Sequence, residues 1–148
     1  MSDPIFGPGP DANNACPSQC NLHATTVCLG ARGVVITGAS GSGKSGLALR
    51  MMALGAVLVS DDRTQIVAES GIVQAYAPAT QAGRIEARGV GVLRGEFQQN
   101  TVIVAVIDMD IVEKDRLPPL RNCSILGVRL PLFHKVESGY FPAAMIHY

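Results

Sequence analysis

Tryptophan is absent from this 148-residue chain and aromatic residues make up only 5% of it, poor material for stacking the bases of a single-stranded nucleic acid. Excess charge is missing too. Twelve Lys and Arg balance twelve Asp and Glu, so nothing marks a surface for wrapping a nucleic-acid backbone or lying on an anionic membrane. The longest apolar run, near Val102–Ile107, is far too short to span a bilayer. No nucleic-acid or membrane partner is expected. The four cysteines, Cys16, Cys20, Cys28 and Cys123, include one short pair, CPSQC, with no second pair or nearby histidine to complete a zinc site, and they read as unpaired thiols in a reducing compartment. Residues 1–20 have neither the basic nor the apolar region of a secretory signal. A cytoplasmic protein is expected.

What the chain does have is 47% hydrophobic residues and sixteen glycines, enough for one packed domain. Residues 1–20, dense in Pro, Gly, Asn and Asp, read as a flexible tail, and residues 21–148 as the domain. Val27–Leu29 predicts a short strand, Gly30–Arg32 a turn and Val34–Thr37 a buried strand. A helix follows from Lys44 to about Leu54 with Gly55 as its stop, then an apolar strand at Ala56–Ser60 ending in Asp61 and Asp62. Strand, glycine loop, helix and strand make a βαβ unit. Further on, Ile66–Ala68 and Ile72–Tyr76 predict a hairpin and Thr101–Ile107 a strong strand, followed by mixed charge over Asp108–Arg116. Ile125–Leu130 reads as a second hydrophobic edge, Pro131–Gly139 as a loop, and a short helix is expected from Pro142.

Gly38-Ala39-Ser40-Gly41-Ser42-Gly43-Lys44-Ser45 satisfies the phosphate-loop (P-loop, Walker A) pattern between a buried strand and a helix. There, backbone N–H groups and the helix dipole converge on a polyphosphate. Lys44 is expected to reach the β- and γ-phosphates, and Ser45 to take a position on Mg2+. Asp61 and Asp62 sit at the strand end where α/β sheets bind ligands. Adjacent acids on an extended strand point apart, so one suits proton acceptance and the other metal support.

Together with Ile85-Glu86-Ala87-Arg88-Gly89-Val90-Gly91, these motifs make the chain resemble the HPr kinase/phosphorylase family over about residues 22–130. That family phosphorylates a serine of the phosphocarrier HPr and removes it by attack of inorganic phosphate. The resemblance implies an α/β P-loop kinase domain with a mixed sheet and flanking helices, ATP and Mg2+ as cofactors, an HPr-type phosphocarrier as partner, and a homo-oligomer, typically a hexamer. It assigns proton transfer to Asp61, a partner role shared with metal binding to Asp62, metal binding to Ser45 and Glu86, phosphate or loop binding to Arg88, and tuning of Asp61 to His23. Three departures stand out. Gly46 replaces the family's usual Glu, residues 133–141 lack its Gly-Arg-Asn phosphorylase segment, and the chain has the length of a catalytic domain with a shortened terminal helix. Kinase rather than phosphorylase activity is expected; the alternatives are a nucleotide-binding regulatory module and a small-molecule P-loop kinase.

Overall fold

A computed structural model of the chain describes residues 4–6 and 18–148. Its centre is a hairpin of β3 (Ala24–Leu29) and β4 (Arg32–Thr37), turned at Gly30 with φ 60°. The β-branched run Val34-Val35-Ile36 favours an extended chain buried on both faces. Val35 and Ile36 are each 0% exposed and enter two different cores, as the strand's period of two requires.

The other edge of β4 pairs in parallel with β10 (Asn100–Val112). Outward from there the sheet runs through β12 (Val128–Lys135) and β11 (Arg121–Ile125) to β1 (Ile5–Phe6), while on the opposite side β3 leads to β5 (Val57–Ser60). The sheet forks at β10. Val102 lies between Arg32 of β4 and Gln74 of β7 (Ile72–Tyr76), whereas Val106 lies between Val35 and Leu132 of β12. One edge of β10 therefore serves two neighbours in turn, and β7 carries β6 (Thr64–Glu69) and β2 (Ser18–Leu22) away with it. A separate two-stranded ribbon consists of β8 (Arg84–Ala87) and β9 (Gly91–Arg94).

Two helices, α1 (Lys44–Ala53) and α2 (Phe141–His147), pack on one face of the sheet, where Leu47, Met51, Phe141 and Met145 meet Ile36 and Ile107. The other face is covered by strands, with Ile66 and Val73 against Val35, Val106 and Ile125. Among the described residues, helices thus flank the mixed sheet on one side only. None of them, among the described residues, is long and apolar enough to cross a membrane.

Several expectations change. Of the stretch expected to be a tail, residues 1–20, Ile5–Phe6 pairs into the sheet and Ser18–Cys20 does so as the start of β2; residues 1–3 and 7–17 lie outside the described residues. The βαβ unit is present, but antiparallel β3 stands between β4 and β5. Ile125–Leu130 is not one edge but a turn: Leu126 and Gly127 have φ 50° and 81°, and β12 continues to Lys135 through the expected loop. A leucine in a two-residue turn that requires positive φ carries no turn signal in sequence. β10 likewise runs to Val112, through residues whose charge suggested its end. The hairpin at Ser70-Gly71, the stop at Gly55 and the terminal helix appear as expected. Cys20 and Cys28 are free thiols, burial pushes both above the usual thiol range, and Cys16 lies outside the described residues.

Where β4 meets β10, Gly33 leaves no room. A Cβ there would run into Thr101 Cγ2 and stand 2.9 Å from the Val102 carbonyl oxygen. Gly33→Ala is expected to destabilise the fold by about 1–3 kcal/mol. Adding Thr101→Ala should recover part of that loss in a double-mutant cycle by chemical denaturation; strictly additive effects would place the strain elsewhere.

At the far end of β10, Arg121 donates two hydrogen bonds to Glu113, at 3.0 and 3.1 Å, holding its carboxyl below the ordinary carboxylate range. A carboxyl depressed in the folded state contributes stability above its unfolded value and loses it as pH falls through the folded one. Glu113→Gln is accordingly expected to flatten the acid limb of the stability–pH curve, measured by thermal melts. An unaltered acid limb would remove this pair from the account.

Candidate phosphate-binding site

β4, β10 and β12 run parallel, and β5 runs with them because β3 is antiparallel to both β4 and β5. Their C-terminal ends share one edge of the sheet, the edge at which open α/β sheets bind ligands. The loop from Gly38 to Gly43 leaves β4 there and enters α1. Gly38, Gly41 and Gly43 hold φ of 145°, 84° and 101°, and a Cβ on Gly38 would stand 2.5 Å from Ser42 Oγ, so the curl demands glycine. No side chain caps α1 and no acid occupies its first turn, which leaves its leading N–H groups and dipole for an anion. Lys44 is 6% exposed and folds over its own loop, donating to the carbonyls of Gly38 at 2.8 Å and Ala39 at 3.2 Å. Ser42 Oγ is buried with no hydrogen-bond partner.

Asp61, at the end of β5, is 7% exposed. Its Oδ1 accepts from the hydroxyls of Thr25 at 2.9 Å and Ser45 at 2.7 Å, and its Oδ2 from the Glu86 backbone N–H at 2.9 Å. The next residue turns sharply. Asp62 adopts φ 65°, sends its N–H to Thr25 Oγ1 at 3.3 Å and exposes its carboxylate, whose Oδ1 lies 2.6 Å from His23 Nε2. The expected partnership of His23 with Asp61 is therefore replaced by one with Asp62. The left-handed backbone at Asp62 swings it away from its neighbour, and His23, just before β3, meets it at the rim.

Glu86 and Arg88, on the β8–β9 ribbon, face Ser40, Lys44 and Ser45 across a cleft of about 510 Å3. The Arg88 guanidinium nitrogens stand 3.9 Å from where a Cβ on Gly41 would lie. Asp62 also lines a neighbouring hollow of about 330 Å3 with His23 and Arg63. Every candidate residue read from the sequence thus gathers at one edge. Three further residues belong to it. Thr25 bridges both aspartates, Asp110 on β10 accepts the Ala39 N–H at 3.0 and 3.2 Å, and Lys135 at the end of β12 donates to the Ser42 carbonyl at 3.5 Å. An acid at the C-terminal end of the strongest predicted strand was a signal for Asp110; nothing marked Thr25.

As for metal, no group of three or more His, Cys, Asp or Glu stands ready to hold an ion among the described residues. A phosphate-bound Mg2+ needs only one or two protein carboxylates, and the touching Ser45 hydroxyl and Asp61 carboxylate are hard oxygen donors of that kind.

The family model for the HPr serine kinase C-terminal domain matches residues 14–116. The chain belongs to that family. HPr kinase/phosphorylase of Clostridium novyi (strain NT) is 35% identical over 74% of this chain and 36% of its own length, and that of Clostridium beijerinckii 36% identical over 51% and 25%. The chain thus spans about a third or less of these curated relatives. Among solved structures, the Hpr(Ser) kinase/phosphatase from Coxiella burnetii superposes with a TM-score of 0.71 at 24% identity, covering 85% of this chain and 91% of that one. The curled mixed sheet with few helices is thus the family's fold.

Because the Thr25 hydroxyl satisfies a buried carboxylate and a backbone N–H at once, Thr25→Val, equal in shape, is expected to cost about 1–3 kcal/mol. Thr25→Ser should retain most of the stability in the same thermal melts. Equal losses in both variants would point to packing of the methyl group instead.

Proposed function

We propose that this chain is the catalytic core of an ATP- and Mg2+-dependent kinase that phosphorylates a serine of an HPr-type phosphocarrier. A cytoplasmic setting and a homo-oligomer, hexameric by family resemblance, belong to the same reading. The observation that carries it is the division of labour between two adjacent acids: buried Asp61 sits on Ser45, while exposed Asp62 sits on His23 and lines the cleft that Lys44 and Ser45 share. Family membership and the names of the relatives support it.

Asp62 and His23 are the groups free to take a proton from an incoming hydroxyl, since Asp62 is exposed and its hollow opens beside the phosphate cleft. Asp61 has both oxygens occupied by donors, so its role is to hold metal together with Ser45. This exchanges the roles that the family resemblance implies for the two acids. Glu86 and Arg88 face the same space, Glu86 as a further metal-side oxygen and Arg88 as a cation for the transferred group. Lys44, released from its own loop carbonyls, supplies a positive charge to the β- and γ-phosphates. A bound Mg2+ supplies charge neutralisation on phosphate oxygens. Phosphoryl transfer asks for positioned charge more than covalent chemistry. The segment between β12 and α2, residues 136–140, contains no arginine, and this supports transfer to serine over phosphorolysis.

Incubation with γ-labelled ATP, Mg2+ and an HPr-type protein is expected to yield acid-stable phosphoserine; nucleotide binding without transfer would make the chain a regulatory module instead. Asp62→Asn and His23→Ala are expected to lower transfer by about 10²–10⁴-fold with ATP binding intact. Asp61→Asn should instead abolish the Mg2+ dependence of ATP binding. The reverse pattern would restore Asp61 as the base.

A further inference from the structure

β10 does not keep step with its neighbours at its far end. Asp108 pairs with Thr37 of β4 and with His134 of β12, yet the next pair along β12 joins Lys135 to Val112, so Met109, Asp110 and Ile111 bulge out of the ladder. Bulges re-aim side chains beside functional sites. Here Met109 is turned under the glycine loop, its Cβ 3.1 Å from where a Cβ on Gly38 would lie and its Cε 3.4 Å from the same point at Gly43. Asp110 is turned to the loop's shoulder. Its backbone N–H is held by Asp108 Oδ1 at 2.9 Å, and its own Oδ1 and Oδ2 accept the Ala39 N–H at 3.0 and 3.2 Å.

That N–H belongs to the peptide unit joining Gly38 to Ala39, and the Gly38 carbonyl is the nearer of the two acceptors of Lys44 Nζ, at 2.8 Å. One peptide therefore stands between a carboxylate and an ammonium. A trans peptide points its N–H and C=O in opposite directions, so its dipole has the favourable sign at both ends. Hydrogen bonds with an ionised partner are about twice as strong as neutral ones, and this unit makes one at each end. Among the described residues Lys44 makes no direct ion pair, so Asp110 reaches it through the peptide.

We infer that Asp110 is a positioning residue that holds Lys44 folded onto its own loop, acting through the Gly38–Ala39 peptide, and thereby lowers the loop's affinity for polyphosphate. This rests on the reading of the loop as a polyphosphate site. A polyphosphate competes with the loop carbonyls for the same ammonium. Asp110 opposes it twice, by aiming the Gly38 carbonyl at Lys44 and by adding negative charge to the edge that the anion approaches.

The test compares Asp110→Ala with Asp110→Asn, which keeps an acceptor oxygen for the Ala39 N–H but carries no charge. Asp110 is exposed, so both variants keep the fold, checked by thermal melts. The first readout is the 15N–1H spectrum of the side-chain ammonium groups in the protein alone. The chain has three lysines, Lys44, Lys114 and Lys135, and the Lys44 signal is assigned by its disappearance in Lys44→Arg. That signal is expected to be lost to fast exchange with water in Asp110→Ala and retained in Asp110→Asn. The second readout is calorimetric titration with Mg-tripolyphosphate. Affinity is expected to rise about tenfold in Asp110→Ala and by a smaller factor in Asp110→Asn. An unchanged Lys44 signal in Asp110→Ala, its loss in both variants, or an affinity that does not rise would overturn the inference while leaving the phosphate loop upheld. Absence of tripolyphosphate binding in the unmodified protein and in both variants would overturn the polyphosphate reading along with it.

Discussion

The buried carboxylate of Asp61 holds the site together, because an unpaired charge at 7% exposure would be too costly to keep. Its three donors come from β3, α1 and β8. Satisfying one charge therefore draws the start of the helix, the edge of the hairpin and the separate ribbon onto the end of β5. The cleft between phosphate loop and ribbon is what remains once those bonds are made. The positive φ of Asp62 belongs to the same corner, where the chain turns as it leaves β5 and the carboxylate stands beside His23. Strain of this sort persists where surrounding bonds over-determine it, and Thr25 does so by gripping both residues.

A chain with no net charge thus concentrates both signs at one edge. Lys44, Arg88 and Lys135 stand against Asp61, Asp62, Glu86 and Asp110 within the loop and its neighbours. Short-range attraction among these groups outweighs any field of the whole molecule, since charges beyond a Debye length of about 8 Å are screened at physiological ionic strength.

The sequence made the glycine loop, its helix and the strand before it legible because glycines, a buried β-branched run and strong helix formers all agree locally. It also singled out the glycine loop, the acid pair and the Glu86–Arg88 segment, since each belongs to a short ordered motif. What escaped it was spatial. Nothing local reveals that His23 meets Asp62 rather than Asp61, because the choice depends on one backbone dihedral at the end of β5. Thr25 reads as an ordinary strand residue until Asp61 arrives from 36 positions away. The turn at Leu126-Gly127 was hidden by a leucine in a conformation that leucine rarely adopts, and the fork at β10 by two partners sharing one apolar strand. Covering one sheet face with strands instead of helices is likewise a property of pairing, which local propensity does not carry.

The parallel pairing of β4 with β10 also has a consequence in time. The phosphate motif is complete by Ser45, yet β4 gains its second neighbour, and Ala39 its carboxylate, only from a strand about seventy residues further along. Closing such long separations is entropically slow compared with forming the β3–β4 hairpin or α1. A chain emerging from the ribosome therefore carries the glycine motif well before the edge of the sheet around it is assembled. That edge is completed late, with the docking of β10.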